Sequence, residues 1–146
     1  MQVQSYLFFD GRCEEALDFY QAALGAEVTA LMRFKDAPPQ PDQPSQEGCG
    51  PAQADPEKIM HASFKIGETQ IMASDGMNGG KPDFKGFSLS IEAHNEAEAE
   101  RLFTAISQGG TVQMPLGPTF FARSFGVTAD RFGVGWMVIV PLPDID

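Results

Sequence analysis

Apolar positions along the chain recur with two spacings, one suited to strands and one to helices. Residues 3–9 form an apolar run closed by Asp10-Gly11, the signature of a short strand ending in a turn. Across 13–24 the residues Ala16, Leu17, Phe19, Tyr20, Ala23 and Leu24 fall on one helical stripe. Glu14 and Glu15 suit its positive N-terminal end, and Gly25 supplies its stop. Strand-like runs follow at 27–34, 58–66 and 69–74, the last two separated by Gly67-Glu68 in a hairpin position, and a turn-rich stretch fills 75–83. The pattern then restarts. A strand at 86–93 leads to Asn95 as helix cap, a helix through Ser107 buries Ala99, Leu102, Phe103 and Ile106, and Gly109-Gly110 stops it. Strands at 111–116, 120–128 and 135–140 complete the chain, with Asp130-Arg131-Phe132-Gly133 as the last turn.

The order is strand, helix, three strands, twice over. At a shift of 83 positions Ser5 meets Ser88, Phe8 meets Ile91, Ala16 meets Ala99, Phe19 meets Leu102, Tyr20 meets Phe103 and Ala23 meets Ile106. At 84, Gly25 meets Gly109 and Val28 meets Val112; at 66, Gly67 meets Gly133. An internal duplication follows, with module one at 1–75 and module two at 84–141 of a single domain, 1–146. The shift changes because only the first module carries a proline-rich insertion, 36–57. It holds six of the eleven prolines and five acids but neither Lys nor Arg, and reads as an extended surface loop able to act as a lid.

Composition narrows the function classes. With 146 residues, 42% hydrophobic, the chain builds one core that needs no disulfide or structural metal. Ten Lys and Arg against 20 Asp and Glu give a net charge of −10 with no basic run, which disfavours nucleic acid as a partner. The start lacks a signal-peptide pattern, and no apolar stretch has membrane-spanning length, so the expectation is a cytoplasmic protein with no membrane partner.

Particular strings go further. Tyr6-Leu-Phe-Phe-Asp-Gly11 with Glu14-Glu-Ala-Leu-Asp-Phe-Tyr20, Met60-His-Ala62, Ile66-Gly-Glu68, Met72-Ala-Ser-Asp75, and Asp130-Arg-Phe-Gly133 with Trp136-Met137 resemble the PhnB-like branch of the vicinal oxygen chelate superfamily. That superfamily includes glyoxalase I, bleomycin-resistance proteins and extradiol dioxygenases. The resemblance implies an α+β fold of two βαβββ modules whose mixed sheets curl into half-barrels around a ligand cup, commonly within a homodimer. It also implies, in catalytic members, a divalent metal on His, Glu or Gln side chains. The corresponding positions here are Ser5, Met72, Gly86 and Met137, and a register shifted by one brings in Gln4, Ile71, Phe87 and Val138. None of the first four is a usual ligand. The expectation is therefore no metal and no cofactor.

The residues left to carry chemistry are few. Of the two histidines, His94 follows a strand end and reads as exposed. His61 shares a strand face with Ile59, Ser63 and Lys65, opposite the core-like face of Met60, Ala62, Phe64 and Ile66, so it points to the cup or to solvent. It is the candidate acid/base or ligand contact. Tyr6, Phe8, Phe34, Met72, Ser74, Phe87, Phe121, Phe125, Trp136 and Met137 supply a candidate apolar lining. On the last strand, alternation leaves open whether Trp136 with Val138 or Met137 with Ile139 faces the cup. Arg123 and Arg131 are candidate anion contacts. Cys13, beside Arg12 in a helix's first turn, is a candidate low-pKa thiol, whereas Cys49 falls in the loop. Some members of the branch carry a methyltransferase name. Phe9-Asp10-Gly11-Arg12 offers no glycine-rich nucleotide loop after the first strand, which argues against methyl transfer. The resulting expectation is a small-molecule-binding protein, with drug sequestration as one version. The alternative is an enzyme working through an atypical metal site or through His61.

Overall fold

The computed structural model describes residues 1–36, 56–76 and 83–143. Most of the proline-rich segment, with its expected lid and Cys49, lies outside them. The chain divides into two compact units, Met1–Pro82 and Asp83–Asp146. No helix among the described residues is long and apolar enough to cross a membrane.

In the first unit the helical stripe forms α1 (Cys13–Leu24), and Gly25, at φ 69°, turns the chain so that its N–H donates to the Gln21 carbonyl at 3.1 Å. That left-handed conformation favours glycine. The strands are β1 (Tyr6–Phe8), β2 (Glu27–Arg33), β3 (Ile59–Ile66) and β4 (Thr69–Ser74), with a 3-10 turn at Phe34–Asp36. They form one sheet in the order β1-β4-β3-β2, parallel between β1 and β4 and antiparallel elsewhere. β1 is shorter than the apolar run predicts, and Val3 is exposed. Leu7, Ala73 and Ala62 lie side by side across β1, β4 and β3, and all three are buried with Phe64 and Ile71. Against this face α1 packs Tyr20, whose ring stacks on Phe64 at 6.0 Å and tilts against Phe9 at 6.1 Å. Full burial of aromatics of this size contributes about 2–3 kcal/mol each. The next row, Tyr6, Met72 and Ser63, is one residue out of phase and points away from the helix.

The second unit repeats the plan with β5 (Leu89–Glu92), α2 (Glu96–Ile106), β6 (Thr111–Gly117), β7 (Ala122–Ala129) and β8 (Gly135–Pro141), in the sheet order β5-β8-β7-β6. Asn95 caps α2 as expected, its Oδ1 accepting from the Glu98 N–H at 2.8 Å. The Glu98 carboxylate accepts in return from the backbone N–H of His94, which is exposed as expected. Ala93, Ala99, Phe103, Val138 and Val140 make the core beneath α2. Gly126 on β7 permits this approach, since a Cβ there would sit 2.7 Å from the Phe103 ring.

The units align as the repeat predicts, with one correction. Tyr20 and Phe103, and Ala23 and Ile106, occupy matching buried positions at a shift of 83. Phe8, however, is exposed on the face away from α1, whereas Ile91 packs against the core under α2. In the first strands the matching residues are Leu7 and Ile91, each beside a buried residue of the unit's last strand, Ala73 or Val138. The connection from β5 to α2 is one residue shorter than that from β1 to α1, which shifts strand and helix alignments against each other.

Candidate functional site

The face of the first sheet turned away from α1 carries a connected polar and aromatic group. Tyr6 and Phe8 stand on β1 at 37% and 56% exposure, their rings stacked at 4.9 Å with an interplanar angle of 30°. Both extend out of phase with the buried Leu7, so the strand's period of two fixes their direction. Tyr6 reaches over β4 to His61 on β3, its hydroxyl lying 2.9 Å from Nδ1 and its ring centroid 5.6 Å from the imidazole. His61 Nε2 lies 3.2 Å from the Ser63 hydroxyl on the same face. Each imidazole nitrogen thus faces a hydroxyl, and because a hydroxyl can donate or accept, either tautomer of the ring satisfies both contacts. Burial, reinforced by the nearby Cys13, pushes the Tyr6 phenol above its ordinary range, while a hydrogen bond with Ser74 pulls the other way. The phenol therefore stays a neutral donor at physiological pH.

Met72, opposite Tyr6 on β4, is half-buried and adds a polarizable thioether, and Met32 on β2 lies across from His61. Ser74 is buried; its hydroxyl donates to the Ile59 carbonyl at 3.4 Å and accepts from the Gly76 N–H at 2.9 Å. Of the predicted site residues, Tyr6, His61, Met72 and Ser74 thus come together. Phe34 lies beyond the end of β2, half-buried, its N–H donating to the Lys58 carbonyl.

The remaining candidates belong to the second unit. The two faces of β8 separate there: Trp136, 2% exposed, is on the helix side with its indole N–H donating to Asp130 Oδ2 at 2.9 Å, while Met137 and Ile139 are half-buried on the opposite face. Trp136 is a core residue, not part of an open lining, because the buried Asp130 carboxylate gives its polar end a partner. Phe121, exposed, meets Phe125 edge-on at 5.0 Å. Phe87 is exposed beside Phe84. Arg123 reaches Glu96 at the start of α2 at 4.0 Å, both side chains about half exposed. Arg131 donates from Nε to the Gln108 carbonyl at 3.3 Å.

Two buried carboxylates escaped the sequence reading. Asp75, 3% exposed, accepts from the backbone N–H groups of Gly11 (2.9 Å) and Cys13 (2.8 Å) through Oδ1 and of Ile59 (2.7 Å) through Oδ2. It thereby locks the β1–α1 turn to the start of β3, the two supports of the Tyr6–His61 pair. Asp130 does likewise in the second unit, accepting from Phe132, Val134 and Trp136. Each lies in a segment the sequence marks only as a turn, and nothing in the spacing reveals its three partners. The same geometry corrects the expectation for Cys13. The thiol is fully buried; burial, the Asp75 carboxylate and then Glu14 raise its pKa, outweighing the helix N-terminus and Arg12.

The donors do not fit the divalent metal implied by the sequence resemblance. The Met72 N–H donates to the Ser5 carbonyl at 3.0 Å, so two of the four corresponding positions adjoin, yet they offer a hydroxyl and a thioether rather than the carboxylate and imidazole donors such ions take. Among the described residues, no group of three or more His, Cys, Asp or Glu side chains could hold a metal ion.

Comparison with known proteins agrees with this fold. The family model described as 3-demethylubiquinone-9 3-methyltransferase matches residues 1–139. The chain is 36% identical over 141 residues to protein YjdN of Escherichia coli K12, covering 96% of this chain and 95% of that one. It is similar to the crystal structure of protein PA1353 from Pseudomonas aeruginosa, at 43% identity, TM-score 0.78 and coverage of 97% and 98%. It is also similar to the PhnB protein from Bacillus cereus, at 25% identity, TM-score 0.74 and coverage of 96% and 99%. In fold alone it is similar to a glyoxylase/bleomycin resistance protein/dioxygenase domain from Frankia sp. EAN1pec, at 13% identity, TM-score 0.61 and coverage of 97% and 95%.

Proposed function

The chain belongs to the 3-demethylubiquinone-9 3-methyltransferase family, a PhnB-like branch within the glyoxalase/bleomycin-resistance/dioxygenase superfamily, and on that premise we propose that it binds a small, partly aromatic molecule on the open face of its first sheet. The observation that carries this reading is the exposed Tyr6–Phe8 stack joined through the Tyr6 hydroxyl to His61. Exposed aromatic rings beside a few fixed polar atoms are the usual make-up of a small-molecule site. The polar contacts are His61, Tyr6 and Ser63 rather than a metal, for which the donor types are unsuited. Methyl transfer, which the family description names, finds no support in the chain between β1 and α1, Phe9-Asp10-Gly11-Arg12, where a glycine-rich nucleotide loop would be needed. Met137 and Phe121 in the second unit are further candidate contacts. The acidic chain is taken to act as a cytoplasmic homodimer, as superfamily members commonly do, and sedimentation equilibrium measures its mass directly.

A second reading, acid/base catalysis by His61, is favoured by the same hydrogen-bond chain, which fixes the ring with Nδ1 toward a phenol. Ligand-observed NMR with a library of aromatic compounds, followed by His61→Ala and Phe8→Asp, separates the two. Binding alone predicts that Phe8→Asp weakens every hit and that no hit is consumed. Catalysis predicts a hit that is turned over by the native protein and bound but left unchanged by His61→Ala. A library in which nothing binds would refute both.

A further inference from the structure

Resting on the binding reading above, we infer that the open face of the first sheet selects cationic aromatic ligands over neutral or anionic ones. The exposed rings, and the pairing of the polar atoms beside them, carry the argument. The Tyr6 hydroxyl and His61 Nδ1 are engaged with each other at 2.9 Å. His61 Nε2 is engaged with the Ser63 hydroxyl at 3.2 Å, and the Ser74 hydroxyl lies 3.4 Å from the Ile59 carbonyl. The polar atoms at the centre of this face are thus engaged with one another, and none of these contacts is made to a lysine or arginine. The rings beside it present π faces, electron-rich surfaces that attract a cation within about 6 Å of their centres. Met72 adds a soft thioether, again an acceptor. Lys65, a cation on this face, sits at the far end of β3, opposite Glu27 on β2. The net charge of −10 attracts the same ligands from a distance but does not select this face.

The test uses three probes of nearly one shape: N-methylquinolinium, quinoline and quinoline-4-carboxylate, titrated into the intact protein at mildly alkaline pH. The expected order is cation, then neutral, then anion, with the cation bound about threefold or more tighter than quinoline, the size of an exposed cation–π contact. Tyr6→Leu and Phe8→Leu leave the net charge unchanged and should abolish that preference. Phe8, more than half exposed, can be replaced without loss of core packing should Tyr6→Leu fold poorly. Quinoline or its carboxylate binding as tightly as the cation would overturn the inference while leaving the binding site intact. A cation preference that survives Phe8→Leu would overturn it too, by assigning the effect to overall charge. Failure of all three probes to bind would count against the binding reading itself and take the inference with it.

Discussion

The Tyr6 hydroxyl meets His61 Nδ1 at 2.9 Å across an intervening strand, so the first and third strands of the first sheet are joined on the face that α1 leaves open. Both imidazole nitrogens are engaged, because the other one faces the Ser63 hydroxyl. Tyr6→Phe, which removes the partner of Nδ1, should therefore shift the His61 ring nitrogen-15 resonances and change the balance of its two tautomers. His61 resonances that do not respond to Tyr6→Phe would contradict this arrangement.

Removal of the Asp75 carboxylate leaves three backbone N–H groups without their acceptor in a buried place. Each stranded donor costs on the order of 1–3 kcal/mol. Asp75→Ala should lower unfolding stability by about 3 kcal/mol or more, and Asp75→Asn, which keeps one acceptor oxygen, by less. Urea denaturation measures both. A loss below about 1 kcal/mol for Asp75→Ala would mean that the carboxylate does not hold this turn.

Cys13 gives a pH signature. Its folded-state pKa is raised above the ordinary 9.0, so the unfolded chain releases the thiol proton first as pH rises. Stability is fully present below 9.0 and declines above it; Tyr6, raised from 10.0, adds a second decline at higher pH. Cys13→Ala in a Cys49→Ser background should flatten the first decline and, by removing the Cys13 contribution to the Tyr6 shift, lessen the second without abolishing it. The slope of stability against pH is the quantity to compare, since the substitution also opens a small cavity.

Trp136, the one tryptophan, is buried and bonded to Asp130. Its emission should be that of an enclosed indole and resist quenching by acrylamide. Asp130→Ala should shift the emission and destabilise the protein, because it strands two backbone N–H groups as well as the indole. Free access of acrylamide to the native indole would contradict the packing of the second unit.

Much of this architecture was legible in the sequence because its signals are local. The stripe from Ala16 to Leu24, the stop at Gly25 and the Gly67-Glu68 hairpin depend on neighbours a few residues away, and α1 and β4 have the predicted bounds. The alternation on β3 correctly separates His61 from the core-facing Ala62 and Phe64. What stayed hidden depends on distant partners. Nothing near Asp75 announces that Gly11, Cys13 and Ile59 will point at it, and the two faces of β8 look alike until the fold buries Trp136 with its indole N–H on Asp130. The one-residue slip between Phe8 and Ile91 was invisible for a related reason, since a shorter turn before α2 shifts strand and helix by different amounts.

The most direct test of the account follows the methyl carbon of Met72, which adjoins Tyr6 on the open face. With methionine methyls labelled, quinoline and N-methylquinolinium are titrated in turn while the resonances are tracked. Binding to this face predicts that the Met72 signal shifts with at least one probe and that Phe8→Asp weakens the response. A Met72 signal that holds still at saturating probe, while other methionines move or none does, would contradict the assignment of the site.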